Sequence, residues 1–175
     1  MRRVNRGEIS LMGLLFYRID DRLIHGQVTE GWAKVLGIDT IVVANNQIAE
    51  DEMQRKIFEF AVPPEIRALF LKIDSVPPTA SHLEEEDKRA IFLFSNISDV
   101  FELVESGFII NELNIGGLRS VDRDRRLSET VFLNDQEIDM LKKLILKGIV
   151  INIQAVPGEK PKNAESLLNK KNFFH

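Results

Sequence analysis

His25 stands in the stretch RIDDRLIHGQV, residues 18–28, just past the apolar run LMGLLFY. A lone histidine is more often packing than chemistry, and three neighbours of this one favour chemistry. Arg22 lies three residues before it, Gly26 follows it, and a helical pattern opens at Gln27. A guanidinium, a closely approachable backbone and the unpaired N–H groups of a helix start together suit a phosphate. Neutral imidazole, with an ordinary pKa near ~6.5, is itself a nucleophile. One ring nitrogen can attack phosphorus while the other keeps a hydrogen bond. Phosphoryl transfer then asks for in-line positioning and charge stabilisation, and Arg22 offers charge-assisted bonds of about 1.5–3 kcal/mol each. Asp20 and Asp21 are less specific. One could orient His25 or Arg22; the bland alternative, rated equal, is that both satisfy loop amides.

The elements that must hold these residues show as alternating patterns. Apolar runs predict strands at about 13–19, 40–44, 67–73, 90–95, 112–115, 130–133 and 149–155. Several are unbroken, as in strands covered on both faces. Helical patterns fall between them, at about 27–36, 50–60, 98–106 and 135–147. Gly37, Gly107 and Gly148 follow three of these patterns, Ser98 and Asp135 sit where N-caps belong, and Pro63, Pro64, Pro77 and Pro78 read as connections. The expected fold is α/β, a mainly parallel open twisted sheet of about seven strands flanked by helices. In such sheets ligands bind outside the carboxyl ends of the strands. That rule brings Ser95, Asn96, Gly116 and Gly117 to the edge that carries His25. Each also has a plainer reading: a helix cap for Ser95 and Asn96, a tight turn for the two glycines.

The chain's 175 residues suit one domain, expected over 13–157, with 1–12 a loosely ordered leader and 158–175 a tail or short helix. A net charge of -4 argues against general nucleic-acid binding. The absence of cysteine excludes disulfides and thiolate catalysis, and most structural zinc sites with them. No apolar run approaches the ~20 residues that span a bilayer. Arg119, Arg123, Arg125 and Arg126 crowd one stretch, RSVDRDRRLS. Its interleaved aspartates favour a solvated face; the alternative is docking to an acidic surface or guiding a phosphate. Trp32 and Phe58 read as core, and His82 as exposed.

RIDDRLIHGQV resembles the active-site segment of the IIB component of the mannose/fructose/sorbose family of the sugar phosphotransferase system (PTS). The likeness runs from residue 16 to about 157. LFSNISDVFELVESG resembles the family's LF-x-NP-x-DV-x-x-LV-x-x-G pattern, with Ile97 where proline is usual, and LNIGGLR resembles its VNVGG strand end. The resemblance implies that His25 takes a phosphoryl group from a phosphohistidine on a IIA protein or domain. It implies transfer onward to a sugar delivered by membrane IIC and IID components, with Arg22 beside the phosphate. It implies no metal and no nucleotide, a cytoplasmic location at the inner face of the membrane, and a homodimer. Mannose, fructose, sorbose and N-acetylgalactosamine systems share the motif, so the sugar is not readable. Two other readings compete. A partner-binding module on the same fold leaves the pairing of Arg22 with His25 unexplained. A metal-dependent hydrolase built on Asp20, Asp21 and His25 lacks a second histidine at a strand end.

Overall fold

The unbroken apolar runs become the middle of the sheet. In the computed structural model, which describes residues 12–119 and 122–170, β1 (Leu14–Asp20) is followed by a π-helical segment, Gln27–Trp32. That segment continues as α1 (Ala33–Leu36), which ends at Gly37 with φ 59°, a left-handed conformation that suits glycine. Next come β2 (Thr40–Ala44), α2 (Asn46–Glu50), α3 (Glu52–Phe60) and β3 (Arg67–Leu71). A short 3₁₀ turn leads into α4 (Val76–Glu85), then β4 (Arg89–Phe94), α5 (Ile97–Glu105) and β5 (Glu112–Gly117). The chain closes with β6 (Arg125–Arg126), β7 (Phe132–Leu133), α6 (Asp135–Leu146), β8 (Val150–Ile153), β9 (Lys162–Asn163) and α7 (Ala164–Lys170).

The main sheet has seven strands in the order β3-β2-β4-β1-β5-β8-β9. All neighbours pair in parallel except β9, which runs antiparallel to β8. The mainly parallel, helix-flanked sheet read from the sequence is therefore the architecture. Alternate residues of the central strands serve opposite faces. Val42, Phe92 and Phe94 join a core completed by α4, α5, α6 and α7, while Ile41, Val43, Ile91 and Leu93 join one completed by Val28, Trp32 and Ile48. Burial on both faces is why these strands read as continuous rather than alternating runs. β1 sits between β4 and β5, so its carboxyl end opens beside the ends of both.

Several local expectations are corrected. The run 130–133 does not join the main sheet: β7 pairs antiparallel with β6 in a separate two-stranded ribbon. The seventh strand is instead β9, from the segment expected to be a tail. Pro77 and Pro78 do not mark a connection. They open α4, where a missing N–H costs nothing. The pattern 50–60 is the helix α3, which starts at Glu52 because Asp51 takes an extended conformation and its side chain accepts from Gln54 N; what the sequence did not show is the short α2 before it. The N-cap of α5 is Asn96 rather than Ser98, and that of α6 is Asn134 rather than Asp135, with Glu137 completing a capping box. The segment expected as leader falls, but for Met12, outside the described residues.

Tyr17 on β1 stacks on Phe92 and meets Phe108 edge-on, with centroids 5.2 and 5.8 Å away. Burial pushes its phenol up to about 12, and the charge of Glu84 adds to the effect. It is the chain's single tyrosine, so tyrosinate absorbance reads it alone. The native protein should titrate near about 12, and the unfolded chain near ~10. The folded value is the raised one, so this group's contribution to stability is complete below ~10 and is lost as pH climbs towards the folded value. A native midpoint at ~10 would contradict the packing of β1 described here.

Candidate functional site

Arg18 and Asp20 are two residues apart on β1 and so point to the same face. Both are fully buried. The register between β1 and β5 slips at this point: Ile19 faces Ile115, but Asp20 faces Gly117, leaving Gly116 as the extra residue of a bulge. The bulge admits Arg18. A Cβ on Gly116 would lie 1.8 Å from Arg18 Nη2, so only glycine leaves room for the guanidinium. Arg18 donates to Asn114 Oδ1, to the carbonyls of Gln154 and Ala155 at 3.0 Å each, and to Asp20 Oδ2 at 2.8 Å. Its Nε has no hydrogen-bond partner among the described residues. Its charge lies 5.3 Å from the centre of the Trp32 ring, a cation–π distance. Burial lowers the pKa of Arg18, and the Asp20 carboxylate pulls it back up.

Asp20 passes this anchoring outward. Its carboxylate accepts from Arg22 Nε at 3.1 Å, Arg22 Nη2 at 3.3 Å and Arg22 N at 3.3 Å. Arg22 thus has one edge tied to a fixed carboxylate while its side chain stays half exposed. Arg22 Nη2 also donates to Gln27 Oε1 at 2.8 Å. His25 Nδ1 lies 2.9 Å from the carbonyl of Leu23, and Nε2 lies 3.4 Å from Gln27 Oε1 and 3.7 Å from Asp20 Oδ2. The Leu23 carbonyl reaches the ring because Leu23 adopts φ 55°, a left-handed conformation uncommon for leucine. The backbone carbonyl of His25 in turn accepts from Val28 N and Thr29 N, closing 3₁₀- and α-type turns at the entrance to the π-helical segment. The imidazole is more covered than an open loop would make it, keeping 18 % of its side-chain exposure.

Beside Arg22 lies a cleft of about 570 Å³, walled by Asp21, Gln27, Gly117, Arg119, Arg123 and Thr130. Asp21 has partners of its own. It accepts from Arg119 N and lies 3.9 Å from Arg123 Nη1. Arg123 is itself held by a fork onto Glu137, with Nε 2.9 and 3.0 Å from the two carboxylate oxygens. Of the four arginines read as a solvated face, Arg125 and Arg126 are exposed, whereas Arg123 is mostly buried and, with Arg119, lines the cleft.

The sequence-derived candidates divide. Asp20, Arg22, His25, Gln27 and Gly117 come together. A Cβ on Gly117 would lie 3.5 Å from both Arg22 Nη2 and Asp20 Oδ1. Gly26 is exposed, with open space where a Cβ would go, so no neighbouring protein atom demands a glycine there. Gly116 serves Arg18. Ser95 and Asn96 follow β4, on the other flank of β1 from the cleft. Asn96 caps α5 and its amide donates to Ser95 Oγ and Asp99, while Ser95 also accepts from Asn45. Sequence reasoning missed Arg18, Leu23 and Asn114. The one available signal was a charge, Arg18, inside the apolar run of β1.

The profile of the family described as "PTS system sorbose subfamily IIB component" matches residues 14–175. A PTS system fructose-specific EIIB component of Bacillus subtilis is 31% identical over 149 residues, covering 85% of this chain and 91% of that protein. A PTS system sorbose-specific EIIB component of Klebsiella pneumoniae is 30% identical over 162 residues, covering 93% and 99%. The crystal structure of the IIBSor domain of the sorbose permease from Klebsiella pneumoniae superposes with a TM-score of 0.81 at 30% identity, covering 91% of this chain and 98% of that one. With the profile spanning nearly the whole described chain and these relatives covered to 91–99% of their lengths, this protein belongs to the sorbose subfamily of PTS IIB components.

Proposed function

We propose that His25 is the phospho-carrier of this IIB component and Arg22 its phosphate-stabilising partner. A ring nitrogen of His25 attacks the phosphorus of a donor phosphohistidine. The donor's P–N bond breaks, and its electron pair returns to the donor imidazole. In the second step a sugar hydroxyl attacks the phosphorus, the P–N bond on His25 breaks with its electron pair returning to the ring nitrogen, and the hydroxyl proton passes to that imidazole or to solvent. Charge on the three equatorial oxygens is met by Arg22, with the cleft beside it open to the oxygens or to a partner. The observation that supports this reading most is the placing of Arg22: one edge of the fork is fixed on fully buried Asp20, next to a histidine whose Nε2 is 3.7 Å from that same carboxylate. The anchoring lowers the entropy that Arg22 would lose on gripping a phosphate.

The donor is a phosphorylated IIA protein or domain. A relative from Escherichia coli named "PTS system mannose-specific EIIAB component", 29% identical over 153 residues, carries A and B in one name, which supports that partner. The acceptor sugar arrives through membrane IIC and IID components. The chain works at the cytoplasmic face of the membrane, as a homodimer; among the described residues no helix is long and apolar enough to cross a membrane. A hydrolase that gathers Asp20, Asp21 and His25 round a metal fits less well. Asp20 is already tied to two guanidinium groups, and Asp21 is turned towards Arg119 and Arg123.

Two substitutions test the roles. With a phosphorylated IIA protein of the mannose–sorbose type, the wild-type chain should gain an acid-labile, base-stable phosphate and His25→Ala none. His25→Ala should still fold, losing about 1 kcal/mol with the ring's single close hydrogen bond. A variant that became labelled at the wild-type rate would remove the carrier role. Arg22→Lys keeps the charge but loses the fork, so transfer should slow by roughly tenfold. An unchanged rate would leave Arg22 with a purely loop-shaping part.

A further inference from the structure

The geometry points to Arg18 as a positioning residue for phosphoryl transfer: by neutralising and orienting Asp20, it lets that carboxylate place one edge of Arg22 without tying up the charge that meets the phosphate. The inference rests on the carrier reading above and adds to it a residue that never touches the phosphate. Arg18 lies wholly inside the protein and meets Asp20 Oδ2 at 2.8 Å, whereas Arg22 meets the same carboxylate at 3.1–3.3 Å from the solvent side. Asp20 is thus shared between a buried cation and an exposed one. Without Arg18 it would keep a single counter-ion, Arg22. A buried carboxylate with one partner holds that partner tightly, because releasing it leaves the charge unpaired. A phosphate would then compete with Asp20 for Arg22. With Arg18 present, two guanidinium groups face one carboxylate, and a net positive charge remains for the incoming dianion.

The surroundings are built for this cation. The Gly116 bulge leaves the space, Asn114 and two carbonyls from the end of β8 take up three N–H groups, and Trp32 covers the guanidinium. Trp32 Nε1 donates to the Ala155 carbonyl as well, at 3.0 Å. Residues from β1, β5, the first helical run and the end of β8 therefore fix one guanidinium, and it fixes one oxygen of Asp20. A residue kept only to fill space would need none of these polar partners.

The test separates positioning from mere support. Arg18→Met fills a similar volume without charge; Arg18→Lys keeps charge without the fork. Transfer from a phosphorylated IIA protein is followed as kcat and KM, beside thermal melts. Arg18→Met should lower kcat by about tenfold or more while KM for the donor moves less than about twofold, because Arg18 is fully buried and offers the donor no surface. Adding Asp20→Asn to Arg18→Met removes the uncompensated charge, keeps an amide oxygen to place Arg22 and should restore part of kcat. Arg18→Lys should fold and transfer at an intermediate rate; it carries the test by itself if Arg18→Met does not fold. Wild-type kcat in the folded Met or Lys variant overturns the inference, as does a double variant no faster than Arg18→Met. If His25 is labelled while the Arg18 variants behave as wild type, only this inference fails. If His25 is never labelled, the carrier reading fails instead.

Discussion

The structure turns on one ion pair with no access to water, Arg18 with Asp20. Two charges removed from water cost several kcal/mol each unless their geometry and remaining hydrogen bonds compensate. The sheet supplies that compensation at its centre. β1 carries both residues on one face, β5 gives Asn114 and a glycine bulge, and the end of β8 gives two carbonyls. The pair in turn constrains its neighbours. Gly116 cannot carry a side chain, and the carbonyls of Gln154 and Ala155 must point inwards.

From this pair the site extends outward through contacts that grow progressively more exposed. Asp20 is fully buried, the His25 side chain keeps 18% exposure and that of Arg22 48%. This gradient suits a group-transfer site, where the anchor must stay rigid and the reacting groups must be reached by a partner. The loop itself is held in two uncommon backbone states, a left-handed leucine before the histidine and a π-helical segment after it. Both place backbone where ordinary turns would not: the Leu23 carbonyl against the ring, and the His25 carbonyl as acceptor for two amides.

Much of this was readable in the sequence, for identifiable reasons. The runs of β2 and β4 are buried on both faces, so their composition alone marks them. His25, Arg22 and Gln27 fall at a strand end before a helical pattern, and that spacing brings them together. Other features follow from tertiary context, which local pattern does not carry. Phe132 and Leu133 look like any short strand, yet their partner is Arg125–Arg126 rather than the main sheet. Pro77 and Pro78 look like a break because the helix that they begin is visible only once its buried face, Val76, Ala80 and Leu83, has something to pack on. Arg18 was passed over because a charged residue within an apolar strand gives no hint of where its partners lie. They are 96 to 137 residues away, apart from Asp20. The left-handed Leu23 had no signal, since glycine or asparagine is the residue expected there.

The claim beneath all of this is that one particular imidazole carries the phosphate. The chain holds three histidines, His25, His82 and His175, so the claim has a direct reading. The protein is phosphorylated by a IIA donor, kept at alkaline pH, digested, and the modified peptide is identified by mass spectrometry. The account predicts phosphate on the peptide containing His25 and on neither of the others. Phosphate at His82 or His175, or a chain that leaves the donor fully phosphorylated, would contradict it.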